Sequence, residues 1–282
     1  MTFRIGYHPN NLHLRLASLW PGAFSTMRPE FVFYPEGRDT ATKLANAEFD
    51  IGGTGSTPPI LAAASGFSVT YSAASAPRPA NGAILVATNS NIERIADLRG
   101  TSVALVDGSF LTYLLAKRLE EASLTLADVT RLDIAPIASG DALRAGEAAA
   151  WVAMAPHLEQ SLGSKEFRVL SYCGDLIPNR SVFWTIKDRG LSNDTIDEFA
   201  SELRRFGQEI AADPEKAASL LSAGGDEAER RAWTRVVTER NWQINPADIS
   251  LLREQQAESD TLFNHGDISK KLEIDTATSK EI

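Results

Sequence analysis

The hydrophobic positions of this chain come in two rhythms that take turns along its length. Short apolar runs alternate with longer stretches in which apolar residues recur every three or four positions. The first rhythm fits buried strands and the second amphipathic helices. Residues 3–7, 31–34, 49–52 and 69–73 read as strands, with helices at 11–19, 40–47 and 58–64 between them. The middle repeats the theme. Strands are expected at 83–88, 103–106, 129–134, 150–154, 167–171 and 181–187, and helices at 110–122, 139–145 and 156–162. A short helical turn at 95–98 is closed by Gly100. Beyond residue 193 the pattern is helical, over 193–212, 214–221, 226–240 and 246–263. Strand–helix alternation of this kind predicts an α/β fold with a mostly parallel sheet.

Two of the strands, 83–88 and 181–187, bracket a self-contained block of about a hundred residues, near the usual domain size. The layout predicts a discontinuous first lobe at 1–84 and 186–282, an inserted second lobe at 85–185, and a two-strand hinge between them. The polar tail at 276–282 is expected to fray.

Composition narrows the function classes. Apolar residues make up 43% and charged residues 23%, an ordinary balance for a globular protein with a sizeable core. The net charge of -9 repels nucleic acid and anionic lipid, and no Lys/Arg run offsets it, so a nucleic-acid partner is not expected. An anionic ligand would need a local electropositive pocket. The single cysteine, Cys173, rules out an intramolecular disulfide. No stretch approaches the ~18 apolar residues of a membrane span. The opening Met1-Thr2-Phe3-Arg4-Ile5-Gly6-Tyr7 is already strand-like and lacks the basic start, apolar run and cleavage site of a leader.

Candidate chemistry gathers at the turns that follow strands. In Thr54-Gly55-Ser56-Thr57, Ser56 or Thr57 can cap a helix that begins with Pro58 and Pro59. Such a helix start offers free N–H groups and a positive dipole end to an anion, and Gly55 allows close backbone approach. Gly108, Ser109 and Phe110 form the counterpart after a second buried strand. Asp107 is expected to face away from an anion or to bond the backbone. His8 and Asn10 follow the first strand, where open α/β sheets bind ligands. Arg78 and Arg240 offer planar guanidinium forks, and Trp151, Trp184 and Trp242 an apolar wall. An ordinary capped helix, a solvated His or Arg and a packed Trp are the alternatives at these positions. The four histidines, His8, His13, His157 and His265, show no metal spacing, and there is no nucleophile elbow, P-loop or dinucleotide fingerprint. No metal, cofactor or catalytic residue is therefore expected.

Several segments, in the same order along nearly the whole chain, resemble the aliphatic-sulfonate and taurine solute-binding proteins of ABC importers. They are Asp50-Ile51-Gly52-Gly53-Thr54-Gly55-Ser56-Thr57-Pro58-Pro59-Ile60, Asn89-Ser90-Asn91-Ile92 through Asp97-Leu98-Arg99-Gly100, and Val106-Asp107-Gly108-Ser109. Glu254-Gln255-Gln256 to Phe263 and Ser269-Lys270-Lys271 complete the set, and Arg240 matches an arginine of that family. The resemblance implies a type II periplasmic-binding-protein-like fold. It also implies a small anionic ligand, an aliphatic sulfonate first, held in a cleft between the lobes. A membrane permease is the implied partner, with a monomeric state and a periplasmic location. One segment departs from the family. Where it carries Asp-Ala-Trp-x-x-Trp-Asp-Pro, this chain has Ala149-Ala150-Trp151-Val152-Ala153-Met154-Ala155-Pro156. Losing the second Asp weakens the cap of the following helix by roughly 1 kcal/mol. That departure and the strand-like start keep two alternatives open: a cytoplasmic enzyme on the same fold, or a ligand sensor. Sulfinate desulfinases, which resemble this fold, carry a Cys in the first loop, whereas His8-Pro9-Asn10-Asn11 has none.

Overall fold

The computed structural model describes residues 2–274. The tail expected to fray, 276–282, lies outside them. Strands β1 (Arg4–Tyr7), β2 (Glu30–Phe33), β3 (Ile51–Thr54), β4 (Val69–Ser75), β10 (Val182–Ile186) and β11 (Ile244–Pro246) form one sheet in the order β11-β4-β10-β3-β1-β2. Strands β5 (Ala83–Ala87), β6 (Ser102–Leu105), β7 (Thr130–Asp133), β8 (Ala150–Ala153) and β9 (Phe167–Tyr172) form a second sheet in the order β7-β6-β8-β5-β9. In both sheets the strands that feed helices run parallel, and antiparallel pairing enters at β10, β4 and β11 and at β5, β8 and β9.

The helices are α1 (Leu12–Leu19), α2 (Thr40–Ala45), α3 (Thr57–Ala64), α4 (Phe110–Glu121), α5 (Pro136–Ala145), α6 (His157–Leu162), α7 (Asn193–Ala212), α8 (Pro214–Leu221), α9 (Glu227–Glu239) and α10 (Ile249–Asn264). Their starts follow the capping chemistry of the sequence. Asn11, Ser109, Ser192, Asp213, Asp226 and Asp248 each accept a first-turn N–H on their side chains. The first sheet is buried on both faces. α1 and α7 to α9 build a core with Leu14, Leu16, Phe199, Phe206 and Trp233, while Tyr34, Phe49 and Trp184 fill the other side. The second sheet packs α4 on one face through Leu111, Leu114 and Leu115, and α5 and α6 on the other through Leu143, Trp151 and Leu158.

The chain passes between the sheets at residues 76–82 and 173–181. Each neighbouring strand lies wholly within one sheet. Ala83 and Ile84 therefore belong with the second sheet, and Val182 to Thr185 with the first, on the opposite sides of the lobe boundaries drawn from sequence. The physical reason is that the crossings are irregular segments. Arg78, Asn81 and Asn179 stitch them together: the Asn179 amide donates to the carbonyls of Arg78 and Asn81, and Asn179 takes a positive φ of 46°. Asn is among the few non-glycine residues that tolerate that backbone.

The two halves touch in this structure. Arg38, after β2, reaches Asp133 at the end of β7 at 2.6 Å. Arg131 on β7 meets Asp267, beyond α10, at 2.6 Å. His265 accepts the Leu126 N–H at Nδ1 (3.0 Å) and lies 3.2 Å from Glu120 through Nε2. α6 also packs against α9.

Candidate functional site

The carboxyl ends of β1, β3 and β6 lead into α1, α3 and α4. The three starts are used differently.

At α3 the position is already taken. Ser56 is the capping residue but makes no cap bond. Instead Ser56 and Thr57 both bond the carboxyl of Glu258, which arrives from α10 and is 1% exposed. Burial pushes the Glu258 carboxyl up to about 7, against those two hydrogen bonds that lower it. Thr54 is also engaged: it accepts from the Trp184 indole at 3.0 Å and donates to the Gly55 carbonyl. At α4 the start is covered. Ser109 caps Leu111 and donates to the Val106 carbonyl. A Cβ on Gly55 would stand 3.5 Å from the Phe110 ring, and one on Gly108 3.2 Å from Leu61. Asp107 bonds the Gly108 N–H, Thr112 and Arg131, turned to the backbone as its sequence position suggests.

At α1 a donor is left over. The Asn11 side chain caps Leu14 through Oδ1 at 3.1 Å, which leaves Nδ2 buried with no partner. Gly53 makes room for it, since a Cβ there would stand 2.6 Å from that Nδ2. Two residues on, His13 is wholly buried. It donates from Nε2 to the Trp242 carbonyl at 3.4 Å and leaves Nδ1 without a partner. Its ring is wedged edge-on between Phe183 and Trp242, with centroids at 5.8 and 5.0 Å. Burial holds the His13 pKa well below its ordinary value, and the charges of Arg240 and Arg78 push it further down.

Those two arginines complete the cluster. Arg78, in the first crossing, is 7% exposed. It spends its donors on neutral acceptors: the Asn179 carbonyl (2.6 Å), the Asn179 side chain (2.9 Å) and Ser181 Oγ (3.3 Å). Phe110 lies beneath its guanidinium at 5.8 Å. Arg240, just before β11, stacks on the Trp242 ring at 4.8 Å, and its Nε and Nη2 are buried with no partner. Burial lowers the Arg78 pKa to about 10. Burial and the Arg78 charge push that of Arg240 down as well. Among the described residues no carboxylate offsets either charge. Arginine is seldom buried unpaired, and an uncompensated interior charge costs several kcal/mol. The two guanidiniums and the buried Asn11 amide at the α1 start thus gather positive charge and spare donors in one region of an acidic protein.

The structure brings Arg78, Arg240, Trp242 and Phe110 of the sequence candidates to this cluster. His8 lies one turn back and supports it. Its Nε2 donates to the Gly53 carbonyl (3.1 Å), its Nδ1 accepts the Asn10 N–H, and burial lowers it to about 4, so the neutral ring braces the first loop. Asn10 itself is exposed. Trp151 packs in the core of the second sheet against Phe167, and Trp184 is fully buried behind β3. Neither lines the pocket, because their strand positions face the helices. Asn11 and His13 escape the sequence reading, although an Asn before a helix whose second residue is a polar His was a visible signal. Of the departing segment, Met154 packs in the second core and Ala155 against the first, with its N–H on Asn81 Oδ1 at 3.1 Å. Cys173 is buried at the second crossing, and burial pushes its thiol up to about 11, far from a reactive thiolate at neutral pH.

Comparison with known proteins converges on one family. A family model described as NMT1/THI5 like matches residues 30–217. An Escherichia coli (strain K12) protein described as an aliphatic sulfonates-binding protein is 32% identical over 178 residues, 62% of this chain. The chain spans about half, 56%, of the length of that relative in the match. Among solved structures, the periplasmic aliphatic sulphonate binding protein SsuA from Escherichia coli superposes with a TM-score of 0.83 at 26% identity, over 97% of this chain and 95% of that one. The alkanesulfonate-binding protein SsuA from Xanthomonas axonopodis pv. citri, bound to MOPS, gives 0.85 at 23% identity over 97% and 96%. The fold, two α/β halves each built on its own sheet, is that of these binding proteins.

Proposed function

The chain belongs to the NMT1/THI5-like family, and from that premise we propose that it is a solute-binding protein for a small organic anion, an aliphatic sulfonate first. On this reading the two halves are lobes divided at residues 76–82 and 173–181, and the anion sits between them on Arg78, Arg240 and Asn11. A membrane permease of the ABC type then receives it from the closed clamp, on the outer side of the membrane. The observation that carries the reading is the pair of buried guanidiniums, Arg78 and Arg240, with no carboxylate among the described residues to offset them. A sulfonate supplies the missing charge, and its three oxygens match several convergent donors. The names of the relatives support the same ligand class.

Titration calorimetry with short alkanesulfonates, sulfate and nitrate tests the ligand, and Arg240→Gln tests the site. Removing an unpaired buried charge should leave the free protein as stable as before or more so, while sulfonate affinity falls by at least about tenfold. Unchanged sulfonate binding by Arg240→Gln, or binding of none of these anions by the parent protein, would sink the proposal.

A further inference from the structure

The pocket around α1 contains one group that an ordinary sulfonate leaves unsatisfied. His13 has its proton on Nε2, because the atom opposite, the Trp242 carbonyl oxygen, can only accept. The lone pair therefore sits on Nδ1, which is buried and has no partner. The ring is fully buried and packed against Phe183 and Trp242 in edge-to-face contact, which restrains it from turning to find one. Nor does protonation resolve the problem. The charged groups that face the ring are Arg240, from the segment between α9 and β11, and Arg78, from the first crossing, and both are positive. A bound monoanion offsets only one of those two charges, so the ring stays neutral with or without ligand. Every other free group of the pocket, Asn11 Nδ2 and Arg240 Nε and Nη2, is a donor. Among the described residues, the unpartnered side-chain atoms of this cluster are thus donors apart from His13 Nδ1.

We infer that His13 selects, within the anion class proposed above and resting on that reading, a ligand that carries a hydroxyl beside its anionic group, accepting the hydroxyl proton at Nδ1. A buried acceptor left unmet costs about 1–3 kcal/mol, so the donor-bearing ligand gains roughly tenfold or more over an isosteric alkyl one. An ammonium also offers donors, but it brings a third positive charge against two guanidiniums and is disfavoured.

Three probes decide the matter by calorimetry on the full chain: 2-hydroxyethanesulfonate, 1-propanesulfonate, in which a methyl replaces the hydroxyl, and 2-aminoethanesulfonate. The hydroxy compound is expected to bind at least about tenfold more tightly than the propyl one, with the amino compound weakest. His13→Gln keeps an amide toward the Trp242 carbonyl but removes Nδ1, and should abolish the hydroxyl preference. His13→Asn places an amide near the Nδ1 position and should keep part of it. Ratios between ligands are compared within each protein, so a general loss of affinity does not mimic the effect. If either variant fails to fold, the ratio in the parent protein decides. Propyl binding as tight as hydroxyethyl binding, or a preference that survives His13→Gln, overturns the role of His13 while leaving the anion site standing. Failure of all three probes to bind sinks both readings.

Discussion

At the scale of single residues, Glu258 carries the most unusual energetics. It sits on the buried stripe of α10, among Leu251, Gln255 and Leu262, and its carboxyl meets the hydroxyls of Ser56 and Thr57. The groups around it are Glu254 on its own helix, Tyr71 on β4 and Tyr113 on α4. Glu254 is neutralised by a two-pronged pair with Arg180, at 2.7 and 2.9 Å, which leaves Glu258 with no cation of its own among the described residues. The folded state therefore holds a proton up to a pH of about 7 that the unfolded chain gives up at the ordinary carboxylate value. Between those values the folded state binds more protons, so stability falls as pH rises, by on the order of 3 kcal/mol in total, and is level above. His8 acts in the opposite sense, since its lowered pKa costs stability as pH drops through 6 toward 4. Glu258→Gln isolates the first effect. In urea denaturation the glutamine variant should gain on the parent from pH 5 to about pH 7 and level off above, and a difference that stays constant from pH 5 to pH 7 refutes the assignment.

At the scale of elements, α1 shows how a cap becomes a binding group. Asn11 fixes the helix start with one atom of its amide and leaves the other unspent. Asn11→Asp keeps an acceptor for Leu14 and suits the helix dipole, so stability should hold within about 1 kcal/mol. The same change places a carboxylate where the anion is proposed to lie. Sulfonate affinity should drop at least tenfold, and equal affinity in calorimetry would move the site elsewhere. Elements of this kind were largely legible from the hydrophobic rhythm. α7 and α8 begin and end where the pattern sets them, because Ser192 and Asp213 cap apolar stripes of regular period. The missed element is β11, whose three residues include Asn245 and Pro246 and sit at the sheet edge against β4. No period can show in three residues, and proline is tolerated there only because the strand is an edge. The site was half legible for a related reason. Arg78 and Arg240 could be named as charges, but their isolation from carboxylates is a property of packing. The start of α3 carried the motif yet holds Glu258, a partner two hundred residues away that no local spacing announces. Trp184 failed as a cleft residue because β10 lies inside the first sheet, between β3 and β4, where both faces are covered.

At the scale of the whole molecule, the ion pairs that join the halves use none of the residues of the anion cluster, and that separation makes closure testable. Arg131 is shared between Asp107, beside the start of α4, at 2.7 Å and Asp267, beyond α10, at 2.6 Å. Asp267 follows a segment anchored on α3 through Leu262 and Ile268, so it belongs to the first half and reaches for the second. His265 reinforces the same strap at Leu126 and Glu120. A ligand gripped from both halves binds only the closed arrangement, and its apparent affinity scales with the fraction of molecules that are closed. Asp267→Asn removes one charge of the strap without touching Arg78, Arg240, Asn11 or His13. A partly exposed pair of this kind contributes up to about 1 kcal/mol, so the closed fraction and the sulfonate affinity should both fall by roughly fivefold at most. Two readings of the same variant check this. X-ray scattering of the unliganded protein should show a larger radius of gyration, and saturating ligand should bring it back to the parent value. High salt should erase the difference in affinity between the variant and its parent, because the missing contact is ionic and near the surface. A variant that loses affinity yet keeps the parent's unliganded dimensions would mean that Asp267 acts on the pocket rather than on closure. A variant unchanged in both would remove the strap from the mechanism and leave closure to the α6–α9 face and the Arg38–Asp133 pair.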